Sequence, residues 1–251
     1  MTTSVPLHRR AARSALLLVA AGTAWLWTVL RWGGMGAMHG TMGLGMAGFD
    51  VMWTVMMAAM MLPATAPIAS MYARSLTSRR TLRMAVFTAG YIAVWAAAGL
   101  PAYLLAVGAG RAASQRPLMG TGVAAAIFAV NGVYQLTPWK DRCLARCRAP
   151  IGVLITYASF QGRSRDLRAG AHHGAFCLGC CWSLMALLVA FGMMNLWAMA
   201  ALTAVVASEK LVTVGPVIAR AAGFISLGMV IAVFWVPALA PGLTGGAMTG
   251  T

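Results

Sequence analysis

The chain has 251 residues, 61% of them in the hydrophobic set and 9% charged, whereas a soluble domain is nearer half apolar and a quarter charged. This excludes an ordinary soluble core, and repeated runs of 18 or more nearly uncharged residues indicate an all-α, polytopic helical membrane protein. A formal charge of +15 would suggest nucleic acid in a soluble protein, but no nucleic-acid motif accompanies it, so it is read as loop charge facing anionic head groups.

Residues 1–13 form a basic, cytosolic amino-terminal segment with Arg9, Arg10 and Arg13, followed by an apolar run over 14–30. A basic start before an apolar middle also describes a signal peptide. No convincing small-residue cleavage site follows, and Trp25 and Trp27 sit where an interfacial belt belongs. A retained first helix is therefore expected. Residues 32–48 hold seven glycines, too many for a stable helix. This outer loop carries Met35, Met38, His39, Met42 and Met46. Thioethers are soft ligands that suit Cu(I) or Ag(I) capture; a flexible low-complexity linker is the competing reading.

A second helix is expected over 49–72, with Asp50 at its favourable amino-terminal end and Pro63 and Pro67 in its second half. Met52, Met56 and Met60 form an i+4 ladder along it. Such a ladder serves helix packing or a thioether relay. The third helix covers 84–107 and the fourth 117–136. Residues 138–170 are the longest polar stretch, with seven basic residues, Cys143 and Cys147. Within it, 150–160 is apolar but too short to span, which suits a surface or re-entrant segment. The fifth helix is placed at 171–194. The sixth, from 195, must reach about 220 to be long enough and so contains Glu209 and Lys210. The seventh covers 222–239. Residues 14–240 are thus one transmembrane domain of about seven helices, and 241–251 form a flexible tail. With a cytosolic amino terminus, sixteen basic residues fall inside and three outside, as the positive-inside rule requires.

The densest chemistry lies at 172–185, H-H-G-A-F-C-L-G-C-C-W-S-L-M. At about 100° per residue, His173, Cys177, Cys180 and Cys181 share one helix face. His173 and Met185 are about 18 Å apart along the axis, so they cannot meet one ion. The compact unit is Cys177 with Cys180 or Cys181, completed from another helix. Thiolates and thioethers favour Cu(I), with zinc next; small cysteines also pack well between membrane helices. Cys143 and Cys147, spaced i, i+4, share a face, and neighbouring arginines are expected to lower their thiol pKa values. Two unremarkable loop thiols are the alternative. Five cysteines cannot all pair, and their clustering is not a disulfide framework.

Glu209 is the only glutamate. It reads as a proton or cation partner or as half of a structural ion pair. Lys210 need not be its partner, since adjacent helix residues point apart. Paired carboxylates, H-E-x-x-H and G-x-S-x-G are absent. No enzyme activity is expected, thiol redox chemistry being the one catalytic option left open.

W-T-V-M-M-A-A-M-M-L-P (53–63), Y-Q-L-T-P-W-K-D-R-C-L-A-R-C-R-A-P (134–150), C-L-G-C-C-W-S-L-M (177–185), G-M-M-N-L-W-A-M (192–199) and E-K (209–210) together resemble a bacterial family of predicted metal-binding integral membrane proteins, some labelled copper chaperones. The resemblance covers roughly 49–220. It implies a multi-pass protein of the bacterial inner membrane that binds metal. The Met-rich loop at 35–46 lies outside the matching motifs.

The sequence therefore points to a protein handling a soft metal, most readily Cu(I), as chaperone, assembly factor or transporter. The ligand candidates are Cys177, Cys180, Cys181, His173, Cys143 and Cys147, with Met35, Met38, His39, Met42, Met56 and Met60 as capture and relay. Expected partners are the bilayer, the metal ion, and a copper-dependent membrane enzyme or a second copy. A non-metal permease or a structural subunit of a membrane complex is the alternative.

Overall fold

A computed structural model of the chain describes residues 7–32 and 40–244. These fold as helices without a strand. Met35, Met38 and His39 lie outside the described residues. In order the elements are α1 Leu7–Trp32, α2 Met46–Ser75, α3 Arg80–Gln115, α4 Pro117–Gln135, α5 Pro138–Arg148, α6 Pro150–Ala158, α7 Arg165–Phe191, α8 Leu196–Leu211, α9 Gly215–Trp235 and α10 Pro241–Thr244. Among the described residues, α2, α3, α4, α7 and α9 are long and apolar enough to cross a membrane.

The breaks follow from turn chemistry. Proline opens α4, α5, α6 and α10, where a missing N–H costs nothing. Gly192, with φ +96°, separates α7 from α8, and Asn195 caps α8 by accepting from the N–H groups of Trp197 and Ala198. Pro63 and Pro67 are carried inside the continuous α2.

α7 is the hub: it packs on α3, α4, α5, α6, α8 and α10. Its closest neighbour is α3. A Cβ at Gly170 would run into the Phe87 carbonyl, and one at Gly174 would sit 3.0 Å from the Tyr91 carbonyl oxygen. This small-xxx-small pair lets two backbones touch and sets Tyr91 beside the cysteine face. α2 packs on α1, α3, α6 and α8. Its Met52, Met56, Met57, Met60 and Met61 are fully buried.

Two boundaries differ from the sequence reading. A sixth helix running through to residue 220 is not formed. α8 stops at Leu211 and the chain turns through Val212–Val214 before α9 begins at Gly215. Sixteen residues rise about 24 Å, short of the roughly 30 Å hydrocarbon core. The polar segment after α4 is also not simply a surface loop. α5 packs against the middle of α7 and against α8, burying Lys140, Leu144 and Cys147. Arg148 donates from Nη1 to the carbonyls of Glu209 and Val212, both at 2.5 Å, and from Nη2 to that of Thr213 at 3.1 Å. It caps the end of α8, so the short helix and the basic segment complete one another.

At the end of the bundle where α2 finishes and α3 and α7 begin, Arg83 forms a two-point ion pair with Asp166 at 2.8 and 2.9 Å, and Tyr72 donates to the same carboxylate. Tyr157 of α6 stacks edge-on against Tyr72.

Candidate metal centre

Cys177, Cys180 and Cys181 occur at the midpoint of α7, and all three are fully buried. Their i, i+3, i+4 spacing places them on one face. Cys180 and Cys181 turn their sulfurs back on the helix, donating to the Cys177 carbonyl at 3.1 and 2.8 Å. The face is closed by four other elements, α5, α2, α8 and α3. Cys147 of α5 approaches Cys180 with 3.8 Å between sulfurs. Met61 of α2 lies 3.8 Å from the Cys181 sulfur. Lys210 of α8 donates to the Cys177 sulfur at 2.8 Å, and the Tyr91 hydroxyl lies 3.0 Å from the same atom.

A layer of ordinary charge pairing supports this cluster. Lys140 and Glu209, both fully buried, meet at 2.6 Å. Gln135 donates to the other Glu209 oxygen at 3.0 Å, and Lys140 donates to the Cys180 carbonyl at 2.5 Å. Glu209 is thus half of a structural pair, and its partner is Lys140 rather than its neighbour Lys210.

The remaining sequence candidates separate. Cys143 is half-buried with its sulfur against Gly179, off the Cys177–Cys181 face. Its thiol is held above the usual range: burial outweighs the lowering by Arg146 and Lys140. Cys147 is raised further, by its hydrogen bond to Cys180 and then by burial. The expectation that arginines would lower these two pKa values is therefore corrected; the guanidinium groups stay near solvent while the sulfurs face inward. His173 is buried with its ring against Phe87 and Tyr91. Met56 and Met60 are buried in α2, and the α2 methionine seen meeting a cysteine is Met61, on the adjacent face. Met42 is buried in the turn before α2, and Met46 is exposed.

Sequence reasoning passed over Met61, Tyr91, Lys140 and Lys210 as parts of the centre. Met61 had a signal, since it stands next to the Met52–Met60 ladder. Lys210 had one as well, being a charge inside an expected span; Tyr91 and Lys140 had none, because only the helix crossings bring them to the cluster.

Among the described residues no group of three or more His, Cys, Asp or Glu side chains is gathered to hold one ion. What is assembled is sulfur in pairs. Two sulfurs sharing an ion at about 2.3 Å each stand no more than about 4.6 Å apart; the Cys147–Cys180 and Cys181–Met61 separations of 3.8 Å fall within that limit. Pairs of thiolate and thioether suit a soft ion of low coordination number.

Residues 50–233 match the family model PpoB2, described as copper chaperone. The chain belongs to this copper-chaperone family. The match runs from the first turns of α2 to the end of α9 and includes all five cysteines, Met61, Tyr91 and Lys210. The resemblance drawn from the sequence motifs thus holds. No curated protein and no solved structure matches the chain. Membership in the copper-chaperone family makes copper the ion against which the sulfur pairs are to be read, and Met35–Met46 precedes the matched region.

Proposed function

We propose that this copper-chaperone family member is a multi-span protein of the bacterial inner membrane, amino terminus cytosolic, that holds Cu(I) among the sulfurs that α2 and α5 bring to the cysteine face of α7. The observation that carries this reading is the convergence of Cys147, Cys180, Cys181 and Met61 from three separate elements in a buried site. Packing alone does not require sulfur from three helices at one level.

The buried methionines of α2 form a thioether column from Met52 to Met61, about 14 Å long. Cu(I) taken up near Met42 and Met46, at the amino-terminal end of α2, passes along this column to the cysteines. Thiolates bind the ion more strongly than neutral thioethers, so the gradient runs toward α7. The chain acts as a holding site that receives and surrenders copper, in company with a copper-dependent membrane enzyme or a second copy. The pairing of Glu209 with Lys140 favours this reading over a permease, because it occupies the acid that a proton-coupled permease would use.

The test is anaerobic Cu(I) titration of purified protein against a competing chelator. Wild type is expected to retain Cu(I), and C147S/C180S to lose at least tenfold in affinity, about 1.4 kcal/mol. C143S is expected to match wild type. Equal affinities in wild type and C147S/C180S would exclude the site.

A further inference from the structure

Lys210 is the odd member of the cluster. It is buried, and its amine donates to the Cys177 sulfur at 2.8 Å. The ion pairs among the described residues are Arg83–Asp166, Lys140–Glu209, Arg165–Asp166 and Arg220–Asp141; none involves Lys210. Its neighbour Glu209 is committed to Lys140 and Gln135. A lysine buried among apolar helices without a carboxylate is costly, and plain packing would be served by methionine or leucine. What surrounds it is sulfur: Cys147, Cys177, Cys180 and Cys181 are all within electrostatic reach.

We infer that Lys210 is the counter-charge that makes this centre selective for a monovalent soft cation over a divalent one. The inference rests on the copper-holding role proposed above. Lys140 and Glu209 cancel each other, so the charge of the centre is set by Lys210, the thiolates and the ion. The sulfurs are gathered in pairs: Cys147 and Cys180 are taken as the thiolate pair, with Cys177 and Cys181 beside them as neutral thiols and Met61 as a neutral thioether. One Cu(I) or Ag(I) with two thiolates carries a charge of −1, and Lys210 brings the total to zero. A divalent ion with the same two thiolates and Lys210 leaves +1, unbalanced in a medium that screens poorly. Zinc and cadmium bind thiolates well, so softness alone would not exclude them. Net charge does.

Lys210 acts on the ion through the field it sets, without donating a ligand. Removing its charge while keeping its bulk should weaken the preference. The site would then hold two thiolates uncompensated, and a divalent ion would restore neutrality where a monovalent ion no longer does.

The experiment measures Ag(I) and Cd(II) affinity on the same preparations of full-length protein, wild type, K210M, K210Q and K210R, in detergent under anaerobic conditions. Ag(I) is the redox-inert monovalent probe and Cd(II) the divalent one. Wild type should bind Ag(I) at least a hundredfold more tightly than Cd(II), after correction for the ratio of the two ions on a free dithiol. K210M and K210Q should lower that corrected ratio at least tenfold, through weaker Ag(I) and tighter Cd(II) binding, and K210R should restore it. A wild-type ratio equal to that of the free dithiol overturns the inference without any variant. So does an unchanged ratio in K210M or K210Q. Absence of Ag(I) and Cu(I) binding by wild type would instead overturn the copper-holding role itself.

Discussion

At the scale of residues, the centre depends on where charge is buried and how it is matched. Lys140 and Glu209 form a fully enclosed pair, and leaving one member alone in such a place costs about 3–5 kcal/mol. K140M should therefore lower the detergent-solubilised melting temperature sharply, and K140M/E209Q should recover a large part of the loss. A double variant no more stable than K140M would contradict a matched pair. Cys143 and Cys147 show the opposite effect of burial, with thiols raised above the ordinary value. Because a raised thiol pKa leaves less thiolate at neutral pH, iodoacetamide should label Cys143 more slowly than free cysteine at pH 7. The rate should rise only as pH climbs above the range in which an ordinary thiol ionises. Mass-spectrometric labelling rates across pH check this, and fast labelling at pH 7 would contradict it. The sequence showed arginines beside these cysteines but not the direction in which the sulfurs point, and that direction decides the sign.

At the scale of elements, hydrophobic runs located α2 and α4 within about three residues at each end, whereas α3 ends eight residues later and α7 begins six residues earlier than expected. The helix wheel placed Cys177, Cys180 and Cys181 on one face, and they do form one buried face. The reading failed at α8 because it demanded a full span. The turn signal Gly215-Pro216 was present in the sequence, but the length requirement overrode it. A helix of 16 residues is sufficient here because α5 folds in beneath it and Arg148 satisfies its last carbonyls. No local pattern in a basic, cysteine-containing stretch announces that it will be packed against the middle of a hydrophobic helix. The α3–α7 contact was equally hidden. Gly90, Gly170 and Gly174 stand out only once the two backbones are seen to touch. G170V should force the helices apart at a cost of about 1–3 kcal/mol, seen as a lower melting temperature. By moving Tyr91 it should also weaken Cu(I) retention. Unchanged stability in G170V would mean that α3 and α7 do not meet as described.

At the scale of the whole molecule, the arrangement divides labour between the two ends and the middle. The end carrying Arg83, Asp166 and Tyr72 is locked by ion pairing and aromatic packing, and it coincides with the basic loops that the charge rule assigns to the cytosol. The middle holds the sulfurs, with α2 and α7 as the two most enclosed long helices. The sequence left the cysteine face to be completed from another helix, and Met61 of α2 and Cys147 of α5 are the sulfurs that lie against it. The particular methionine was not legible, because it depends on how α2 is rotated about its own axis. The central claim is that sulfur from three elements surrounds the ion. X-ray absorption at the copper edge, on wild-type protein loaded anaerobically with one equivalent of Cu(I), tests this most directly. The account predicts a first shell of sulfur alone, altered in C180S and in M61L. A shell dominated by nitrogen or oxygen, or one unchanged in both variants, would contradict it.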